Sequence, residues 1–309
     1  MRTILASFST AVMLIICLLF LVACKSTFET QPVAASPVGS EPGHVGSSAN
    51  TPTSLAPLRV AVIDVGKGDC ILIQCAESAV LIDTGYQNTA DKVLSQMQKQ
   101  GVSRLDAIII THYDRDHLDG LRTIGEAVGV GIIYLPGYEG ADKNYKSCIS
   151  SVEALGVPTQ RVTKELAMDI GSARLTVFPS GVAYKAGSGK EEGNDNDMSL
   201  VASLANGRDS YLFAGDLEEE GIAAYLAANH GQFDVLKMPH HGRRSSNTED
   251  FLDDVRPKIA VITDSSKEPA DKKTLKLLKS ADVETYRSSE DGTVVVESDG
   301  NGSYSVAKS

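Results

Sequence analysis

"THYDRDHLDG" (Thr111 to Gly120) follows the apolar run "DAIII" and places two histidines and three aspartates within ten residues, in a chain holding only six histidines. An apolar run of that kind reads as a buried strand, so His112, Asp114, Asp116 and His117 lie in a loop leaving it, with a helix expected after Asp119. A chain leaving a strand into a tight loop can turn alternate residues toward a common point. His112 and Asp114 would then serve one ion, and Asp116 with His117 a second beside it. Asp114, Asp116 and Asp119 would repel one another at such spacing unless cations neutralise them. The bland alternative is a solvated acidic turn that caps a helix, and the histidines at both ends of HxDxDH argue against it.

Working outward, strands and helices interleave on both sides of this stretch. "LRVAVIDV", "DCILIQC" and "SAVLIDTG" read as strands, and "TADKVLSQMQKQG" as an amphipathic helix closed by Gly101. After the motif come the strand "VGIIYLP", the helix "NYKSCISSVEALG" and three strands, "ARLTVFP", "SLVASLANG" and "DSYLFAGD". The last two are separated by the hairpin signal "NGRD". "EEEGIAAYLAAN", "TEDFLDDV" and "KKTLKLLKSA" read as helices between the strands "FDVLKMP" and "KIAVITDS" and two terminal strands. Such mixed strands in two halves predict an α/β fold, with sheets packed together and helices outside.

The ends and the composition set further bounds. Arg2 precedes the 13-residue apolar run Ala11 to Ala23, short of the roughly 17–25 residues of a comfortable span, and the run ends at "LVAC". Residues 1–24 therefore read as a secretory signal. The tetrapeptide resembles a bacterial lipobox, which implies cleavage before Cys24, a lipid on its sulfur and a membrane-anchored, extracytoplasmic protein. Residues 25–57 hold five of the eleven prolines and few large apolar side chains, a composition expected of a flexible tether. The folded domain is expected over 58–309. Cys70 and Cys75, five apart on one strand, face opposite ways and cannot pair, and Cys148 reads equally as a partner for one of them or as a buried free thiol. No CxxC metal spacing occurs. The formal charge of −11 gives no general attraction for nucleic acid or anionic lipid, so an anionic substrate would need a local positive site.

HxDxDH after a strand resembles the HxHxDH signature of the metallo-β-lactamase superfamily. Three more stretches resemble its motifs in order, the domain's opening adds a fourth, and one region departs from the pattern. "AVLIDTG" carries Asp83 at a strand end, where the family's aspartate braces the metal-binding loop from behind its ligands. "GNDNDMSLV" takes the place of the third motif, without its histidine. "YLFAGDLEE" carries Asp216, the counterpart of the carboxylate between two ions, although a helix N-cap role is open to it as well. "LKMPHHGRRSS" supplies His241 or His240; branches with a single ligand histidine before glycine favour His241, leaving His240 to face substrate as a donor to a developing anionic oxygen. Arg243 and Arg244 follow, as phosphate contacts or as solvated loop arginines. The start, "VAVIDVGKGDCILI", together with "HHG", is similar to the C-terminal domain of the DNA-uptake protein ComEC and its stand-alone relatives. That branch tends to carry asparagine followed by serine at the third motif, here Asn196 and Ser199.

The resemblance implies a four-layer αββα sandwich of two mixed β-sheets. It also implies two divalent ions, zinc or manganese, with His112 and Asp114 on one and Asp116, His117 and His241 on the other. Asp216 would lie between them, and Asp195, Asn196 or water would complete the first. An oxygen-rich set of this kind is more favourable to Mn²⁺ than a histidine-only one. Two close ions lower the pKa of a water and clamp the attacking and leaving oxygens, so the implied activity is a metal-dependent hydrolase. Asp116 and His240 are its expected catalytic residues, and a phosphoester its substrate, in single-stranded DNA or an envelope polymer. Against DNA stand the acidic chain and the lack of tryptophan for stacking. A phosphorylcholine-esterase-like envelope enzyme and a degenerate metal-binding module are the rival readings. The membrane is the one other partner expected, through the N-terminal lipid, and no obligate protein partner is evident.

Overall fold

The computed structural model describes residues 55–185 and 194–309. Cys24, the expected signal and the tether as far as Ser54 lie outside these residues. Fifteen strands occur among the described residues: β1 Leu58–Val62, β2 Ile71–Cys75, β3 Ser78–Ile82, β4 Arg104–Ile109, β5 Gly129–Pro136, β6 Thr159–Val162, β7 Leu166–Ile170, β8 Ala173–Pro179, β9 Leu200–Asn206, β10 Asp209–Phe213, β11 Val235–Lys237, β12 Ile259–Ile262, β13 Glu284–Arg287, β14 Val294–Ser298 and β15 Tyr304–Lys308. The helices are α1 Ala90–Lys99, α2 Arg115–Leu118, α3 Leu121–Ala127, α4 Lys143–Leu155, α5 Glu219–Ala228, α6 Thr248–Val255, α7 Lys272–Ser280 and α8 Ser288–Asp291.

The strands form two mixed sheets, ordered β15-β14-β1-β2-β3-β4-β5-β6 and β13-β12-β11-β10-β9-β8-β7. In the first, β3 to β6 run parallel; in the second, β10 to β13 do, and the remaining pairs are antiparallel. Alternation along the strands decides the layering, because successive side chains point to opposite faces. Val60, Ile73, Ile82 and Ile109 of the first sheet meet Leu175, Leu204, Phe213 and Val261 of the second. The opposite face of the first sheet packs Leu72, Leu81 and Ile108 under α1, α3 and α4 through Val93, Ile124 and Cys148. The outer face of the second packs Leu212, Leu236 and Ala260 under α5, α6 and α7 through Ile222, Phe251 and Leu278. The result is the expected αββα sandwich.

Cys75 lies in the inter-sheet core and Cys70 on the outer side, and these two and Cys148 are buried free thiols. Three strands carry no sequence signal used above: β6, β7 and β13, all at sheet edges. The helix expected after Asp119 is preceded by the single turn α2, so Asp116 and His117 sit in that turn and not in an open loop. Among the described residues no helix is long and apolar enough to cross a membrane.

Candidate metal centre

Parallel strands carry ligands at their carboxyl ends, and here most of the chemistry-bearing residues follow such ends. Asp83 follows β3, and Thr111 and His112 follow β4. Asp216 follows β10, His240 and His241 follow β11, and Thr263 follows β12. Because the two parallel halves face each other across the core, their loops converge on one buried point. Asp83, His240 and His241 reach it with left-handed backbone (φ 57°, 43° and 53°), a conformation costly for non-glycine residues.

On the first-sheet side, His117 is fully buried, and its Nδ1 lies 2.7 Å from Oδ2 of Asp83. The Thr111 hydroxyl donates to that same oxygen at 2.7 Å, and the Thr111 amide donates to Oδ1 at 2.8 Å. An Nδ1–H held by a carboxylate leaves Nε2 bare, as a metal ligand requires. The His112 ring lies against that of His117, 4.1 Å between centroids and tilted by 54°; its Nδ1 meets the hydroxyls of Thr111 (3.1 Å) and Ser199 (3.3 Å). Ser199 also accepts from the Asp216 amide at 3.0 Å, so the third motif enters through its serine.

On the second-sheet side, His241 places Nδ1 3.0 Å from the Thr263 hydroxyl, which donates to Oδ1 of Asp69 at 2.7 Å. Asp69 ion-pairs with Lys237, whose ammonium also donates to the Gly215 carbonyl at 3.1 Å and lies 3.5 Å from Oδ1 of Asp216. Burial works against the charge on Asp216, yet the His241, His117 and Lys237 cations hold its carboxyl well below the usual carboxylate range. Burial likewise opposes charge on His117, but without a metal ion Asp216 and Asp83 hold its imidazole well above the ordinary value, so a bound cation would have to displace the proton on Nε2.

Around Asp216 the donors close in. Its Oδ2 lies 3.4 Å from His117 Nε2 and 3.0 Å from His241 Nε2. His241 Nε2 is also 3.3 Å from Oδ2 of Asp116. Four triads among the described residues have donor atoms all within 4.8 Å of one another; two hold the expected ligands, namely His112, His117 and Asp216, and Asp116, His117 and His241, and the other two include Asp69. Yet Nε2 of all three histidines and Oδ1 of Asp216 make no hydrogen bond. Each such buried orphan costs about 1–3 kcal/mol. Four of them aimed at one point, with imidazole and carboxylate as the donor set, fit divalent metal ions.

The other expected residues lie nearby with different attachments. Asp114 sits at the rim, 41% exposed, its Oδ2 3.7 Å from His112 Nε2, and it belongs to none of these triads. Asp195 lies close enough to Asp114 that burial and that neighbouring charge push its carboxyl upward. The Asn196 side chain is directed elsewhere, donating to Oε1 of Glu218 at 3.2 Å. His240 Nδ1 lies 2.8 Å from the same oxygen, with its Nε2 3.9 Å from Asp216. Asp216 does not cap α5; Asp197 does, accepting from the amides of Glu218 (2.9 Å) and Gly221 (2.7 Å). Arg243 and Arg244 are exposed, beside His240 in one open pocket.

Sequence reasoning missed Asp69, Lys237, Thr263 and Glu218 as parts of the centre. A usable signal existed for Lys237: a lone charge inside the apolar strand "FDVLKMP" needs a buried partner.

The chain is 27% identical over 258 residues to "ComE operon protein 3" of Bacillus subtilis, covering 76% of this chain and 32% of that protein. It is 28% identical over 210 residues to "Recombination protein 2" of Haemophilus influenzae, covering 66% of this chain and 24% of that one. It thus spans a third or less of these two relatives. Among solved structures, the metallo-β-lactamase fold protein YhfI from Bacillus subtilis superposes with a TM-score of 0.52 at 14% identity, over 79% of this chain and 100% of that one. The family model of the metallo-β-lactamase superfamily matches residues 63–263, about two thirds of the sequence and all of the centre, and the chain belongs to that superfamily.

Proposed function

We propose that this chain is a divalent-metal-dependent hydrolase of phosphodiester bonds, anchored outside the cytoplasm by a lipid on Cys24. The observation that carries the hydrolase is the set of buried, unpartnered donors on His112, His117, His241 and Asp216. Charge supports metal ions at the site. Asp69, Asp83, Asp114, Asp116, Asp216 and Glu218 set six carboxylates against the ammonium groups of Lys67 and Lys237, leaving four negative charges for metal ions to offset. Two divalent ions would offset that deficit and remove the repulsion an anionic substrate would otherwise meet. The phosphodiester reading also draws on two relatives, named "Recombination protein 2" in Haemophilus influenzae and "Competence protein ComA" in Neisseria gonorrhoeae.

His112 and Asp114 would hold one ion, Asp116, His117 and His241 the other, with Asp216 between them and Asp195 or Asn196 beside the first. When bound, such ions supply an activated water and neutralise charge developing at phosphorus. The chain's part is to fix them. Asp83 and the Asp69–Thr263 relay orient two imidazoles, and Asp116 shares its carboxylate between His241 and the mouth of the site. Glu218 aims His240 inward, where its Nε2 can donate to the oxygen that gains charge.

A cell-envelope phosphoester is the second reading, favoured by the charge of −11, which disfavours long contact with a nucleic acid. A panel of single-stranded DNA, bis(p-nitrophenyl) phosphate, a phosphorylcholine ester and nitrocefin, each with Mn²⁺, Zn²⁺ or Mg²⁺, tests both readings. Metal-dependent phosphodiester cleavage with little lactam turnover is expected. Efficient nitrocefin hydrolysis without any phosphodiester cleavage would overturn the assignment. Cys24→Ala is expected to release the protein from membranes or block its processing, and membrane retention after normal cleavage would refute the anchor.

A further inference from the structure

Lys67, in the "GKGD" loop between β1 and β2, has no part in holding the centre, yet it reaches into it. Its ammonium donates to Oδ2 of Asp116 at 2.9 Å, and that is its one side-chain hydrogen bond among the described residues. Its side chain is 18% exposed, so it stands at the mouth between solvent and the buried donors.

The loop that carries it is fixed on both sides. The Gly66 amide donates to Oδ1 of Asp64 at 3.0 Å, and the Asp69 amide donates to the Asp116 carbonyl at 3.1 Å. Gly68 has φ +154°, and a Cβ there would lie 2.6 Å from that carbonyl oxygen. The backbone of the loop is therefore pressed against Asp116, a fit that only glycine permits at Gly68. Asp69, the next residue, is anchored by Lys237 and Thr263. What can move is the Lys67 side chain, whose four-carbon stem pivots from a fixed base.

Oδ2 of Asp116 faces two claimants, Lys67 and His241 at 3.3 Å. A divalent ion on Asp116 would take over the neutralisation of that carboxylate, and the ammonium would lose its partner while remaining tethered over the site. We propose that Lys67 is the substrate-binding cation of this centre, which exchanges Asp116 for a non-bridging oxygen of a bound phosphoester. This inference rests on the phosphodiester reading above. It also answers how a chain of charge −11 admits an anion: one lysine at the entrance supplies the local positive charge that the surface as a whole lacks. Among the nearby cations, Arg115 is already committed to Asp119 at 2.8 Å, and Arg243 and Arg244 stand exposed beside His240.

The test compares wild type, Lys67→Met and Lys67→Arg in three measurements. The first is calorimetric binding of inorganic phosphate to the manganese-loaded protein. The second is the KM for bis(p-nitrophenyl) phosphate, against that for the neutral ester p-nitrophenyl acetate. The third is Mn²⁺ titration of the metal-stripped protein. A charge-assisted hydrogen bond lost to Lys67→Met should weaken phosphate binding and raise the phosphodiester KM roughly 10- to 100-fold. The KM for the acetate should not change, and Lys67→Arg should restore most of the phosphate affinity. Manganese affinity should stay level or rise, because a competitor for Asp116 is gone. Unchanged phosphate affinity in Lys67→Met would overturn the proposal, and so would loss of manganese binding, which would make Lys67 a strut for Asp116. Acetate hydrolysis by the wild type without any phosphodiester cleavage would defeat the phosphodiester reading instead, and the phosphate titration would still decide whether Lys67 binds the anion.

Discussion

His117 and His241 approach Asp216 from opposite sheets, and they are braced in different ways. His117 rests directly on Asp83, at 2.7 Å. Both residues follow adjacent parallel strands of one sheet, so the carboxylate is already within reach. His241 follows β11 of the other sheet and reaches its carboxylate through the Thr263 hydroxyl. That carboxylate, Asp69, belongs to the first sheet's β1–β2 loop, and Lys237 of the second sheet pairs with it. The direct brace orients one imidazole. The relayed brace does that and also ties the two sheets together at the centre. The same second-sphere task is therefore local on one side and part of the fold on the other.

The largest effect should come from cutting the inter-sheet tie. Asp69→Asn breaks the buried pair and leaves the Lys237 ammonium only the Asp216 carboxylate, 3.5 Å away and shared with the centre, and breaking a buried pair costs about 3–5 kcal/mol. Urea denaturation of the variant should show that loss. Asp69→Leu combined with Lys237→Met should recover much of the stability while metal affinity stays low, because His241 has still lost its relay. Full recovery of metal binding in the double variant would dissolve the distinction between the two braces.

Next in size is the direct brace. Asp83→Asn should lower metal affinity by roughly 10- to 100-fold, the usual cost of losing a carboxylate behind a ligand histidine. Its stability loss should be smaller than that of Asp69→Asn, since no buried ammonium loses its pair. Equal destabilisation of the two variants, read from the same urea curves, would show that Asp83 is structural in the same sense as Asp69.

The smallest effect is expected at the relay itself. Thr263→Val keeps the shape of the side chain and removes the hydroxyl between His241 and Asp69, while the Asp69–Lys237 pair survives. Metal affinity should fall about tenfold, at the lower end for such contacts. A fall as large as that of Asp83→Asn would make the two braces equivalent.

The same contrast separates what could be read in the sequence from what could not. HxDxDH is legible because four chemical residues within six positions follow one apolar strand, and chain proximity alone brings them together. Asp83, Asp216 and His241 are legible because each ends a strand within a motif. Asp69 and Lys237 lie far apart in the chain and meet only because two sheets pack, which no local spacing records. Edge strands hide for a related reason: β6 ("TQRV") and β13 ("ETYR") are mostly half-exposed or exposed and lack the alternation that marks a strand buried on one face. The N-cap role left open for Asp216 falls instead to Asp197, from the third-motif loop, which takes those amides and leaves the Asp216 carboxylate for the centre.

The central claim is that these converging donors form a divalent metal centre with unequal halves. His117 has a carboxylate behind it, whereas His112 has only hydroxyls, and its partner Asp114 stands at the exposed rim. Calorimetric titration of the metal-stripped protein with Mn²⁺ and Zn²⁺ tests this most directly, in the wild type and in His117→Ala and His112→Ala. The wild type should fill in two unequal steps; His117→Ala should lose the tight step, and His112→Ala should lose the weak one. A wild-type protein that takes up no metal would contradict the account, as would two equally tight sites or a His112→Ala protein that binds no metal at all.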